Sequence, residues 1–157
     1  MWYGKRMNTI LVPVDFSEMT DPVVEAASAL AKATGSRVVL MNSVQSPMLA
    51  SESAPAIENI GEIIAVAEAS AEKNLERLRT RLAKAGVPSD TRQSTGAPVA
   101  NILKEAGELK AHYIVMGSHG HTAFYDLLVG STTQGVLKKA PCPVLIVPAE
   151  KAKRRKT

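Results

Sequence analysis

Short apolar runs alternate along the chain with longer stretches of helical period. Thr9-Ile10-Leu11-Val12-Pro13-Val14 is nearly continuous in apolar residues, the pattern of a strand covered on both faces. Pro13 has no donor for a mid-sheet ladder, so the strand should end there, with Asp15 and Ser17 in the loop at its carboxyl edge. Val23, Ala26, Ala27, Leu30 and Ala31 form a helical stripe that stops at Gly35. Asp21-Pro22 reads as its N-cap and first position, with Ser17 as the alternative cap of an earlier start. Val38 to Met41 is a second strand, ending near Asn42 and Ser43. Gln45 to about Asn59 has no period and reads as a mobile surface loop. Ile60, Ile63, Ile64, Ala67, Ala71, Leu75, Leu78 and Leu82 then mark a long amphipathic helix ended by Gly86. Ser89 to Ser94 is a polar third strand suited to a sheet edge, and Ala97-Pro98 opens a helix to about Leu109. Tyr113 to Met116 is the fourth strand and Val144 to Val147, between Pro143 and Pro148, the fifth. Strands alternating with helices predict an α/β fold: one doubly wound, parallel sheet with right-handed crossovers.

A chain of 157 residues suits one such domain. Residues 1–6 read as a short extension, 7–149 as the domain and 150–157 as a disordered basic tail. The tail changes the meaning of the charge: Lys151, Lys153, Arg154, Arg155 and Lys156 lie in it, leaving 14 basic against 15 acidic side chains before them. A near-neutral body argues against a nucleic-acid face, which collects Lys and Arg on the folded surface. No apolar run approaches the roughly 18 to 20 residues of a membrane span, and the opening residues lack the apolar core of a secretion signal, so a cytoplasmic location with no membrane partner is expected. The single cysteine, Cys142, fits a reducing compartment and reads as a small buried apolar residue.

The candidate chemistry is concentrated after the fourth strand. Gly117-Ser118-His119-Gly120 breaks the apolar run, and Gly130-Ser131-Thr132-Thr133 restarts the chain as a hydroxyl-rich helix opening, the way α/β proteins build phosphate sites. Gly117, Gly120 and Gly130 let backbone amides approach a phosphate, and the helix dipole adds favourable charge. Ser131 with Gln134 fits a capping box as well as a phosphate contact. His119 belongs to the same turn, while His121 reads as solvent-facing and His112 has no evident partner. Gly-x4-Gly-Lys-Ser/Thr, Gly-x-Gly-x2-Gly and Gly-x-Ser-x-Gly are absent, as are paired cysteines with metal spacing. No lysine or arginine lies between Lys110 and Lys138, so a cation for the γ-phosphate is missing from the motif. Weak ATP hydrolysis or autophosphorylation is the most this pattern predicts, and no catalytic residue is assigned.

Val12-Pro13-Val14-Asp15-Phe16-Ser17, Gly96-Ala97-Pro98 and above all Gly117-x2-Gly120-x9-Gly130-Ser131 resemble the universal stress protein family in its ATP-binding branch. The resemblance runs from about Met7 to Pro148. It implies five parallel strands in the order 3-2-1-4-5, a Rossmann-like fold akin to the adenine nucleotide α-hydrolases, with ATP at the carboxyl edge. That order puts the switch-point crevice between strands one and four, where Asp15 meets Gly117. The resemblance also implies that Pro13, Val14 and Ser43 line the adenine and ribose pocket, with Met116 similarly placed. Asp15 would accept ribose hydroxyls or hold a bridging Mg²⁺ or Mn²⁺. Dimerisation through Val144–Val147 is implied too, and it agrees with an apolar edge strand that needs cover. The function expected is an ATP-binding, homodimeric stress or energy-state regulator with a downstream protein partner that the residues do not identify. A slow ATPase or phosphotransferase at the same site is the alternative.

Overall fold

The computed structural model describes residues 6–45, 59–119 and 129–149. Nine elements follow in order: β1 (Thr9–Pro13), α1 (Thr20–Thr34), β2 (Arg37–Val44), α2 (Ile60–Lys84), β3 (Ser89–Thr95), α3 (Pro98–Glu108), β4 (Tyr113–Gly117), α4 (Ser131–Lys139) and β5 (Val144–Val147). All neighbouring strands are parallel and the order is β3-β2-β1-β4-β5, as expected. The polar β3 and the apolar β5 are the two edges.

The period-two alternation of the buried strands sorts the core into two layers. Ile10, Val12, Val38, Leu40 and Val115 point to one face, where they meet Val23, Val24 and Ala27 of α1 and Leu75, Leu78 and Leu82 of α2. Leu11, Val39, Met41, Ile114 and Met116 point to the other and meet Ile102 and Ala106 of α3 and Val136 of α4. Each valine, leucine, isoleucine or methionine among them, fully buried, contributes on the order of 1.5–3 kcal/mol. Cys142 packs against the second layer, and burial pushes its thiol above the ordinary value, in keeping with an apolar role.

The chain stops where small residues allow it. Gly35 has φ 66° after α1 and Gly86 has φ 78° after α2, both in the left-handed region that closes helices. α1 begins at Thr20, which corrects the Asp21-Pro22 start. Ser17 folds the preceding turn: its carbonyl accepts from Thr20 N at 3.0 Å and its Oγ from Met19 N at 3.3 Å, which brings the first helical residue forward. His112 also gains a partner, its Nδ1 accepting from Thr9 N at 3.2 Å at the amino edge. No described helix is long and apolar enough to cross a membrane.

Pro13 decides where the sheet opens. In a parallel strand, successive N–H groups point to alternate neighbours. Val14 N donates to Met41 O of β2 at 2.8 Å, whereas Thr9 N points to His112 beside β4, so the odd positions of β1 face β4. Pro13 is the odd position at the end, and it has no N–H to give. Pairing with β2 accordingly runs the full length of β1, Thr9 to Pro13, while pairing with β4 covers only Ile10 and Leu11.

Helices α3 and α4 approach each other through Gly135. A Cβ there would stand 2.8 Å from Val99 Cγ2 and 3.1 Å from Cγ1, and a β-branched side chain has little freedom to withdraw. Alanine is favoured over glycine in a helix by about 1 kcal/mol, and overpacking costs about 1–3 kcal/mol, so the clash should win. Gly135→Ala is expected to lower the urea midpoint by the equivalent of about 1–2 kcal/mol. Adding Val99→Ala should recover part of that loss, and a Gly135→Ala protein as stable as its parent would contradict the contact.

Candidate functional site

A cavity of about 540 Å³ opens at the carboxyl edge where β1 and β4 part. Its size falls in the range of small-molecule pockets, roughly 300–1,000 Å³. From β1 and its loop come Pro13, Val14 and Asp15; from β2, Met41, Asn42 and Ser43. Met116 and Gly117 end β4 on the opposite wall, followed by His119. Gly130, Ser131, Thr132 and Thr133 close the site at the start of α4. Every residue proposed from the sequence that falls among the described residues lines this cavity. Gly120, His121, the segment 46–58 and the basic tail lie outside the described residues.

The β1 wall is held by short hydrogen bonds. Asn42 Nδ2, buried, donates to Val14 O at 2.8 Å and fixes the strand's last turnward carbonyl. Asp15 Oδ1 accepts from Ser17 N at 3.0 Å, an Asx turn that leaves the residue exposed at the cavity. Between them Phe16 has φ 60°, a left-handed conformation uncommon for a bulky residue. Its side chain packs against the α1 and α2 layer, which holds the strained backbone in place. Ser43 Oγ accepts from Asn101 Nδ2 of α3 at 3.3 Å, so this hydroxyl ties β2 to α3.

The β4 wall depends on space. Gly117 lies outside the left-handed region, and its absent Cβ matters because one would sit 3.1 Å from Met19 Cβ and 3.2 Å from His119 O. The glycine thus serves a close approach within the fold, and no left-handed conformation demands it. Gly130 is different again: at φ −60° and ψ 164° it is extended, and a Cβ would make only ordinary contacts at 3.6 and 3.8 Å. Its own amide is spent on Ser118 O at 2.7 Å.

Helix α4 turns its first amides to the cavity. Gly130 is the N-cap, its carbonyl accepting from Gln134 N at 2.9 Å, and no side chain caps the helix. The capping box read from Ser131 and Gln134 is therefore not formed. Ser131 sits one position too late to cap, and Gln134 Nε2 instead donates to Val129 O at 3.0 Å. Helix geometry leaves the amides of Ser131, Thr132 and Thr133 without intrahelical acceptors, at the positive end of the dipole. Thr133 is buried and its Oγ1 donates to Gly117 O at 2.9 Å. That hydroxyl locks α4 to β4, so it is committed to the fold where the sequence had turned it to an anion.

Ser118 anchors the turn between the two. Its N–H donates to Val147 O at 2.9 Å, its Oγ accepts from Ala149 N at 3.3 Å, and the same oxygen lies 2.8 Å from His119 Nδ1. His119 Nε2 is buried with no hydrogen-bond partner among the described residues.

Several lining residues escaped the sequence reading: Met19, Thr20 and Val23 of α1, Met41, Asn42 and Gln45 about β2, and Pro98 and Ile102 of α3. The apolar ones had been absorbed into core stripes. A positional signal existed for the rest, because the first turn of any helix following a parallel strand lies at the carboxyl edge. Among the described residues, none that lines the cavity is lysine or arginine.

The profile of the universal stress protein family matches residues 7–148. Over 145 residues the chain is 30% identical to universal stress protein YxiE of Bacillus subtilis, covering 89% of this chain and 98% of that one. It is 34% identical over 144 residues to a universal stress protein of Thermus aquaticus, covering 88% and 97%. Among solved structures it is similar to MJ0577 of Methanocaldococcus jannaschii, with a TM-score of 0.81, 28% identity, and coverage of 92% and 98%. Sheet order, the spacing of Gly117, Gly130 and Ser131, and these matches agree: the chain belongs to the universal stress protein family.

Proposed function

We propose that this protein binds ATP in the carboxyl-edge cavity and acts as a nucleotide-responsive regulator, as a homodimer. The observation that carries the reading is the uncapped N-terminus of α4, which with the Gly117 turn offers backbone donors to a cavity that Pro13, Val14, Met41 and Ile102 also line. Pro13, Val14, Met41 and Ile102 suit a base, Ser43 stands near a sugar position, and the α4 amides with Ser131 and Thr132 suit phosphates. Solved proteins of the same fold include one in complex with cAMP and one from Archaeoglobus fulgidus in complex with dAMP.

A divalent cation fits this donor set only as a companion of the nucleotide. Asp15 is the one carboxylate among the described lining residues, and no group of three potential ligands occurs among the described residues. Mg²⁺ or Mn²⁺ held by one carboxylate and phosphate oxygens is a familiar arrangement, and the ion would supply charge neutralisation where Asp15 alone repels phosphate.

Nucleotide-stripped protein titrated with ATP and Mg²⁺ in a calorimeter is expected to bind at a single site. Gly130→Ala should weaken binding about ten-fold or more while leaving the melting temperature unchanged, because its Cβ meets only ordinary contacts in the fold. Gly117→Ala should lose stability as well, since Met19 and the backbone at His119 have to move. Unaltered binding in both variants would place the site elsewhere.

The described cavity wall offers no cationic side chain to the γ-phosphate, which favours holding ATP over consuming it. Single-turnover measurements are expected to show phosphate release far slower than nucleotide exchange. Release fast enough to match exchange, and abolished in Asp15→Asn, would establish the enzyme reading instead.

The dimer reading rests on β5. This edge strand is apolar, and Leu145 is 43% exposed. Pairing with a second copy would cover both the side chain and the strand's unpaired backbone groups. Sedimentation velocity should show a dimer at micromolar concentration that Leu145→Glu shifts toward monomer. A parent protein that sediments as a monomer would rule the interface out.

A further inference from the structure

Thr20 opens α1, is 8% exposed and lines the cavity, yet its Oγ1 has no hydrogen-bond partner among the described residues. A threonine in a helix ordinarily returns its hydroxyl to a carbonyl one turn back. Thr34, at the other end of the same helix, does so, donating to Leu30 O at 2.7 Å. Thr133 across the cavity is likewise satisfied, by Gly117 O. Thr20 is therefore a buried hydroxyl left unpaired at a site, a state that destabilises the fold unless something else completes it.

A second atom of the same kind belongs to another residue that lines the cavity. His119 Nε2 is buried and unpartnered among the described residues. Ser118 Oγ accepts from Ala149 N and lies 2.8 Å from His119 Nδ1, so its own proton is available to Nδ1. In the tautomer where Ser118 gives that proton, the ring carries its own on Nε2, which is then a donor. The two orphans flank the Gly117 turn. Met19, adjacent to Thr20, has its Cβ 3.1 Å from the Cβ position of Gly117, which brings the start of α1 against the end of β4. The orphan oxygens of Ser89 and Ser94 sit on the edge strand β3 and line no part of this cavity.

We propose that Thr20 is a ligand-contacting residue of the nucleotide site, its hydroxyl donating to a phosphate oxygen from the α1 side while His119 Nε2 donates from the β4 side. The phosphates are thus held by α1 as well as by the glycine turn and α4. The proposal rests on the nucleotide reading above and adds to it a wall that the glycine motif does not contain.

Thr20→Val keeps the shape and removes the hydrogen bond; Thr20→Ser keeps the bond. Calorimetry with ATP and with adenosine, together with the melting temperature of the ligand-free protein, tests the assignment. Thr20→Val should bind ATP about ten-fold or more weakly, bind adenosine within about two-fold of the parent, and melt at or above the parent's temperature without ligand. Thr20→Ser should retain ATP affinity within about three-fold. Parental ATP affinity in Thr20→Val, an equal loss for ATP and adenosine, or a lowered melting temperature that accounts for the weaker binding would each overturn the proposal. A parent protein that binds neither ligand overturns the nucleotide reading itself, a result distinct from intact ATP binding in Thr20→Val.

Discussion

One missing hydrogen-bond donor organises the molecule. Because the odd positions of β1 face β4, the proline at position 13 withholds the rung that would carry that pairing to the strand's end. The same strand stays zipped to β2 to its last residue. The sheet is consequently continuous on one side of its central strand and parted on the other, and the parting coincides with the point where strand order reverses. Helix starts, glycine turn and Asp15 all gather about this gap. Had the donor been present, the apolar walls from β1 and β4 would have room to close, and the polar residues above them would have less to surround.

Around the gap, polar groups divide into two kinds. Some hold the walls: Asn42 on Val14, Ser43 with Asn101, Thr133 on Gly117, Ser118 on the backbone beyond β5. Others, on residues that line it, have no partner of their own: Thr20 Oγ1 and His119 Nε2, beside the uncapped first amides of α4. A binding site needs both. Groups whose bonds are already made give the cavity a fixed shape, so that little conformational freedom remains to be lost on binding. Groups whose bonds are unmade are the ones a ligand would complete, and each such buried group costs the fold stability.

The sequence disclosed the elements and the neighbourhood of the site more readily than the use of each side chain. Strand cores such as Ile10–Val12 and Val38–Met41, and helix stops such as Gly35, follow from periodicity and local backbone preference, which a chain carries within a few residues. The grouping of Asp15, Gly117 and Ser131 was also legible, since it follows from topology. Individual roles were not. Ser131 fits a capping box by spacing alone, but the N-cap falls on Gly130, whose position is set by a backbone bond to Ser118, twelve residues earlier. Thr133 and Thr20 are the same residue type, each in the first turn of a helix at the same edge. What separates them is whether a neighbouring strand presents a carbonyl, and that is tertiary information. Gly117 and Gly130 look equivalent in the motif, yet only Gly117 is hemmed in by its surroundings.

Ser118 gives the molecule a further property. Its hydroxyl bonds to the ring of His119 and the amide of Ala149 while its own N–H bonds to the carbonyl of Val147, so the inner turn and the end of the outermost strand share a single residue. A force on the imidazole is therefore felt at the margin of the sheet through two hydrogen bonds, without passing through the packed layers. The rim of this protein and its interior are mechanically neighbours, although the fold sets them on opposite sides of a wall.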